Sequence, residues 1–209
     1  MKKQKLHKFV SRYSETKQPR EKGKNPNSKK KKSKYTKPSP NPKRWRQLRE
    51  GATYHVSTKA NRGENIFESD FFKELFILTM EQAKRLYGFE LFEFCIMSNH
   101  LHFIIKPSRN SSLPAIMRWL LGVFAQRWNK LMGLSGHVFH GRYFSRIIET
   151  PQDYENVVEY IRQNPVKAVM VEKPEHWKYS SAWYNKHKKW CRKRWPGVLL
   201  SPSPAELTA

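Results

Sequence analysis

The run Glu93-Phe-Cys-Ile-Met-Ser-Asn-His-Leu-His-Phe-Ile-Ile105 is apolar and β-branched enough to be extended chain, and Pro107 ends it. Side chains alternate between the two faces of a strand, so His100, His102 and Ile104 share one face. Leu101, Phe103 and Ile105 share the other. Two imidazoles on one face, in the middle of a sheet, can turn a nitrogen toward a single point. That is half of a metal site, carried on a rigid element. The competing reading is a pair of satisfied histidines near a strand end.

The other elements follow from periodicity and caps. Ala52-Thr-Tyr-His-Val-Ser57 alternates as a first strand, with His55 read as a packing residue. Ser69 or Asp70 caps a helix from about Phe71 to Leu86, and Gly88 stops it. A second strand, about Phe89 to Met97, passes through Ser98-Asn99 directly into the histidine strand as a tight hairpin. Leu113, Ile116, Met117, Leu120, Leu121, Phe124, Trp128 and Leu131 mark an amphipathic helix ending before Gly133, with Arg118, Arg127 and Lys130 off its stripe. Arg142 to Glu149 reads as a fourth strand. Thr150 then caps a third helix, Pro151 takes its first position, and it runs to the residue before Pro165. The order β-α-β-β-α-β-α is an α+β split arrangement, a four-stranded antiparallel sheet with its first two helices on one face. The third helix is the element left to cover His100 and His102.

On that helix Tyr154, Val157, Val158 and Ile161 supply the packing stripe. Tyr160 and Asn164 are four apart and share a flank. Where that flank borders the histidines, Asn164 offers a carbonyl oxygen as a third ligand and Tyr160 a phenol beside the metal. Two imidazoles plus an amide oxygen, with open positions, suit a hard divalent ion such as Mg²⁺ or Mn²⁺. Gln163 is a neighbouring amide that can replace Asn164. A phenol that has lost its proton can attack a phosphodiester and form a covalent phosphotyrosine. Tyr160 on its own would more simply be a half-buried packing residue.

Charge points to the partner. Lys and Arg number 41 against 17 Asp and Glu, a formal charge of +24. Positions 1–46 hold 18 basic and 2 acidic residues, in a Lys-, Ser-, Pro- and Asn-rich arm with almost nothing to bury. A disordered arm of this kind adds phosphate affinity without sequence information. Nucleic acid is the fitting polyanion, because the arm has no apolar helical face for a membrane. No signal peptide or membrane-spanning run is visible. Cys95 and Cys191 make no disulfide framework, so a reducing cytoplasm, in association with the nucleoid, is the expected location. Arg142 and Arg146 are candidate phosphate contacts. Trp190, Lys193 and Arg194 combine the aromatic and basic character of single-strand binding. His137 and His140 are read as solvent-facing, with a minor metal or DNA contact open to His140.

Four motifs occur in order: Met97-Ser-Asn-His-Leu-His102, Phe139-His-Gly-Arg-Tyr-Phe-Ser145, Glu159-Tyr-Ile-Arg-Gln-Asn-Pro-Val-Lys-Ala168 and Trp177-Lys-Tyr-Ser-Ser181. Together they resemble the single-tyrosine HUH transposases, and among these the IS200-like and REP-associated tyrosine transposases. The resemblance spans about residues 48 to 185, and Leu101 fits the apolar residue between the two histidines. It implies a ferredoxin-like sheet with the catalytic helix over the histidine face. By the same resemblance His100, His102 and Asn164 bind the divalent ion, and Tyr160 attacks single-stranded, hairpin or palindromic DNA. The implied products are a 5′-phosphotyrosine and a free 3′-hydroxyl. On this reading 1–46 is the basic tail, 47–187 the transposase domain and 188–209 a basic, aromatic carboxy-terminal tail. The implied protein is a monomer or homodimer. The rival readings are a replication-initiator or relaxase-type nickase, and a non-catalytic single-stranded nucleic-acid-binding protein on the same sheet.

Overall fold

The computed structural model describes residues 47–198 and 200–201; the basic arm, whose disorder the composition predicts, lies outside the described residues. Four strands form one sheet: β1 (Tyr54–Lys59), β2 (Glu90–Ile96), β3 (His100–Lys106) and β4 (Phe144–Ile147). Their order across the sheet is β2-β3-β1-β4, and every neighbouring pair is antiparallel. The split topology predicted from the sequence is the one observed. β4 is shorter than the predicted run and begins after Arg142.

The helices are α1 (Asp70–Tyr87), α2 (Leu113–Met132) and α3 (Pro151–Lys167), followed by the short α4 (Ser181–Lys186) and α5 (Lys188–Arg194). The side-chain oxygens of Ser69, Ser112 and Thr150 accept from the backbone N–H groups of Phe72, Ala115 and Asp153, so each helix start is capped by a hydroxyl. Gly88 and Gly133 end α1 and α2 at φ 66°, a conformation that excludes most side chains.

Each face of the sheet is covered by a different helix set. Phe103 of β3 stacks on Phe76 of α1 at 6.0 Å, and Phe67 stacks on Phe124 of α2 at 5.0 Å. On the opposite face Phe92, Cys95, Met97 and Ile104 pack against Val157 and Ile161 of α3. Cys95 is fully buried there, where burial pushes its thiol pKa up and keeps it unreactive. The alternation in β3 thus divides the residues as predicted: Leu101, Phe103 and Ile105 toward α1 and α2, and His100, His102 and Ile104 toward α3.

Two local expectations are corrected. Arg127 is buried rather than off the apolar stripe of α2; its guanidinium donates to Thr79 Oγ1 at 2.8 Å and Gln82 Oε1 at 2.6 Å, joining the two helices. α3 continues through Pro165 to Lys167, because the Pro165 ring is buried and the last turn is closed by Ala168 N–H donating to the Asn164 carbonyl. Val169, at φ 55°, then reverses the chain. Trp195, one of the carboxy-terminal aromatics, is completely buried. It follows α5, which is tied to α1 by an Arg194–Glu74 ion pair. Gly197 N–H also donates to Glu81 Oε1 at 3.1 Å.

Candidate active site

The histidine face is an ordered grid. One row across the sheet reads Cys95, His102, Ser57, Phe144; the next reads Glu93, Ile104, His55, Arg146. His55 lies diagonally beside His102, with its ring stacked at 5.5 Å and its Nε2 3.3 Å from His102 Nδ1. His55 is therefore a member of the site, not the packing residue its strand position alone suggests. A signal was present: Tyr54 and Val56 are apolar and face α1 and α2, which sends His55, Ser57 and Lys59 to the histidine side.

α3 lies over this face and brings Tyr160 to it. The Tyr160 ring stands edge-on to His102 at 5.4 Å and to His55 at 5.9 Å, and is 45% exposed. The Lys167 ammonium is 5.8 Å from the same ring. The helix is held in this position by Arg162, which pairs with the buried carboxylate of Glu93 on β2. Arg146 and Asp153 make a bidentate pair of 2.7 and 2.8 Å between β4 and the first turn of α3.

Hydrogen bonds orient the ligand-bearing groups. Asn99 Nδ2 donates to the Gly63 carbonyl at 3.4 Å, leaving Oδ1 to accept from His100 Nδ1 at 2.8 Å. His100 therefore carries its proton on Nδ1 and a lone pair on Nε2. Asn164 Nδ2 donates to the Tyr160 carbonyl at 2.7 Å, which turns Oδ1 toward His100 Nε2 at 3.5 Å. Two acceptors then face each other with no proton between them, a slot that suits a cation. Burial lowers the pKa of His100, and pushes His55 down to about 4 and His102 to about 3. All three rings are neutral at pH 7 and keep lone pairs for a ligand. Among the described residues no three His, Cys, Asp or Glu side chains converge as a metal group, so an ion here would rest on two imidazoles and an amide oxygen. Gln163 does not join them; it donates to Glu159 Oε1 at 2.9 Å.

The chain matches a known family in sequence and in fold. A family model described as "Transposase IS200 like" matches residues 49–164. The chain belongs to the IS200-like transposase family. The stretch that matches contains both strand histidines, Tyr160 and Asn164. A protein of Haemophilus influenzae that carries the provisional name REP-associated tyrosine transposase is 25% identical over 146 residues, 65% of this transposase and 82% of that protein. A solved structure of a REP-associated tyrosine transposase bound to a REP hairpin superposes with a TM-score of 0.58 at 20% identity, covering 76% of this chain and 90% of the other. That likeness establishes the shared fold.

Of the remaining sequence candidates, Arg146 sits beside His55 on the histidine face, and the others lie apart. Arg142 is exposed in the turn before β4, and Arg146 is engaged by Asp153. Trp190 is half-exposed on α5 beside Trp183 and Trp195, while Lys193 is exposed and Arg194 is paired with Glu74. His140, by contrast, lines the same cleft as His100 and His102. Among the described residues no helix is long and apolar enough to cross a membrane.

Proposed function

We propose that the protein nicks and rejoins single-stranded DNA through Tyr160, with His100, His102 and Asn164 holding a divalent ion such as Mg²⁺ or Mn²⁺. The observation that carries this reading is the Tyr160 ring set edge-on against His102, one helical turn before an amide aimed at His100. Hairpin-bearing DNA is the proposed substrate, since a structural neighbour is bound to a REP hairpin.

The chain's own residues divide the work. Tyr160 Oη attacks the phosphorus, a bond forms between them, and the bond from phosphorus to the 3′-oxygen breaks. The phenolic proton is lost and the departing 3′-oxygen gains one, so the products are a 5′-phosphotyrosine and a free 3′-hydroxyl. Attack by a 3′-hydroxyl on the phosphotyrosine reverses the step and rejoins strands without an external energy source. The bound ion would withdraw charge from a non-bridging phosphate oxygen. Asn99 holds the His100 tautomer, and Arg162 and Asp153 hold α3 so that Tyr160 stays over the site. Lys59 and Arg62 line the cleft beside the histidines and supply positive potential for the backbone, and His140 lines it with them. Trp190 and Lys193 on α5, and Arg142 in the turn before β4, are proposed as outlying DNA contacts.

The test is covalent capture of single-stranded hairpin oligonucleotides with Mn²⁺. Wild-type protein should form a denaturant-resistant adduct that chelator abolishes and Tyr160→Phe cannot form. Equal capture by Tyr160→Phe would reject the assignment, and chelator-indifferent binding without an adduct would favour a non-catalytic binding protein.

A further inference from the structure

Tyr160 stands on a ridge between two clefts of unlike chemistry. Tyr160, Ser57 and His102 line both. The larger, about 890 Å³, is walled by Lys59, Arg62, Asn99, His100 and His140 and contains no acidic side chain. The smaller, about 340 Å³, is walled by His55, Phe144, Arg146 and Asn156. Its one cation, Arg146, is already neutralised by the bidentate pair with Asp153. The first cleft suits phosphate; the second is neutral and aromatic.

Phe144 has no fold-level reason to be where it is. It occupies the open face of an edge strand, two strands from His102 in the same row, and is 51% exposed. α3 packs over β2 and β3 through Phe92, Cys95, Met97 and Ile104, and leaves Phe144 uncovered. Its ring meets His55 edge-on at 6.0 Å, and His55 in turn meets Tyr160 at 5.9 Å. A planar apolar ring exposed beside a nucleophile, at the mouth of a neutral cleft, is what a nucleobase stacks on.

Resting on the nickase reading, we propose that Phe144 is the stacking platform for the base adjoining the phosphodiester at Tyr160, while Lys59 and Arg62 hold the backbone on the other side. The strand then crosses the site in one direction only, a base on the Phe144 side and phosphates on the Lys59 side. Stacking carries little hydrogen-bond readout, so this subsite positions the bond to be cut and contributes little to sequence choice.

The test uses the full-length Tyr160→Phe protein, which cannot turn over, with single-stranded 12-mers carrying 5-iododeoxyuridine at randomised positions. Ultraviolet crosslinking followed by peptide mapping should place adducts on Phe144. In fluorescence anisotropy Phe144→Leu should weaken binding roughly tenfold, and Phe144→Trp should retain it. Unchanged affinity in Phe144→Leu, with crosslinks only elsewhere, overturns the platform. The two readings separate cleanly. A phosphotyrosine adduct in the wild type, with Phe144→Leu binding normally, rejects the platform and leaves the nickase. A Phe144 crosslink with tenfold weaker Phe144→Leu binding, but no adduct in the wild type, keeps the single-strand subsite and rejects the nickase.

Discussion

His55 Nε2 lies 3.3 Å from His102 Nδ1, with the two rings stacked on neighbouring strands. When His102 presents the Nε2 lone pair to a ligand, its proton sits on Nδ1 and must be accepted, and His55 is the acceptor within reach. His55 thereby selects the binding tautomer of His102. Replacing it with Ala should reduce Mn²⁺ affinity by about 10- to 100-fold, while His55→Gln, which keeps an acceptor, should lose less. Calorimetric titration with Mn²⁺ in the absence of DNA measures this directly, and equal affinities across the three proteins would refute it.

The buried Glu93 carboxylate is paired with Arg162, two residues beyond the proposed nucleophile. Burial raises the Glu93 pKa and Arg162 opposes that rise. Removing the partner leaves a buried charge uncompensated, so Arg162→Ala should cost about 3 kcal/mol in denaturant unfolding. The double variant Glu93→Gln, Arg162→Met should recover part of that loss. If Arg162→Ala is as stable as wild type, the pair does not anchor α3.

Arg146 and Asp153 fasten β4 to the start of α3, and the guanidinium holds the Asp153 carboxyl below its ordinary value. A depressed carboxylate stabilises the fold above its unfolded pKa and loses that contribution as pH falls through the folded value. Asp153→Asn should therefore lower Tm at pH 7, by an amount corresponding to about 1 kcal/mol given the partial exposure of the pair. The gap from wild type should close below about pH 4. A gap that persists unchanged in acid would assign the loss to packing instead.

Val169 adopts φ 55° and is 91% exposed. A β-branched residue in the left-handed region is strained by about 1–2 kcal/mol, which glycine relieves at an entropic cost of about 0.5–1 kcal/mol. Val169→Gly should raise stability by about 0.5–1 kcal/mol, read as a higher midpoint in urea at unchanged slope. A lower midpoint would contradict the strain.

Much of this arrangement was legible along the chain because it depends on neighbours within a turn. Thr150, Pro151 and Asp153 announce the start of α3, Gly88 and Gly133 end their helices, and strand alternation separates His100 and His102 from Leu101 and Phe103. The topology then left one helix to cover the histidines, and the four-residue spacing put Tyr160 and Asn164 on one flank of it.

What tertiary structure alone decided depends on register and on partners far away in sequence. Pairing His55 with Arg146 and Ser57 with both His102 and Phe144 requires three strands to align, and a one-residue slip would send each side chain to the other face. The same holds for Arg127, buried because Thr79 and Gln82 meet its guanidinium, and for Pro165, tolerated inside α3 because its ring packs into the core. Local periodicity chose the elements and their faces. Long-range packing chose which of those faces meet, and so placed His55 and Phe144 beside the proposed nucleophile.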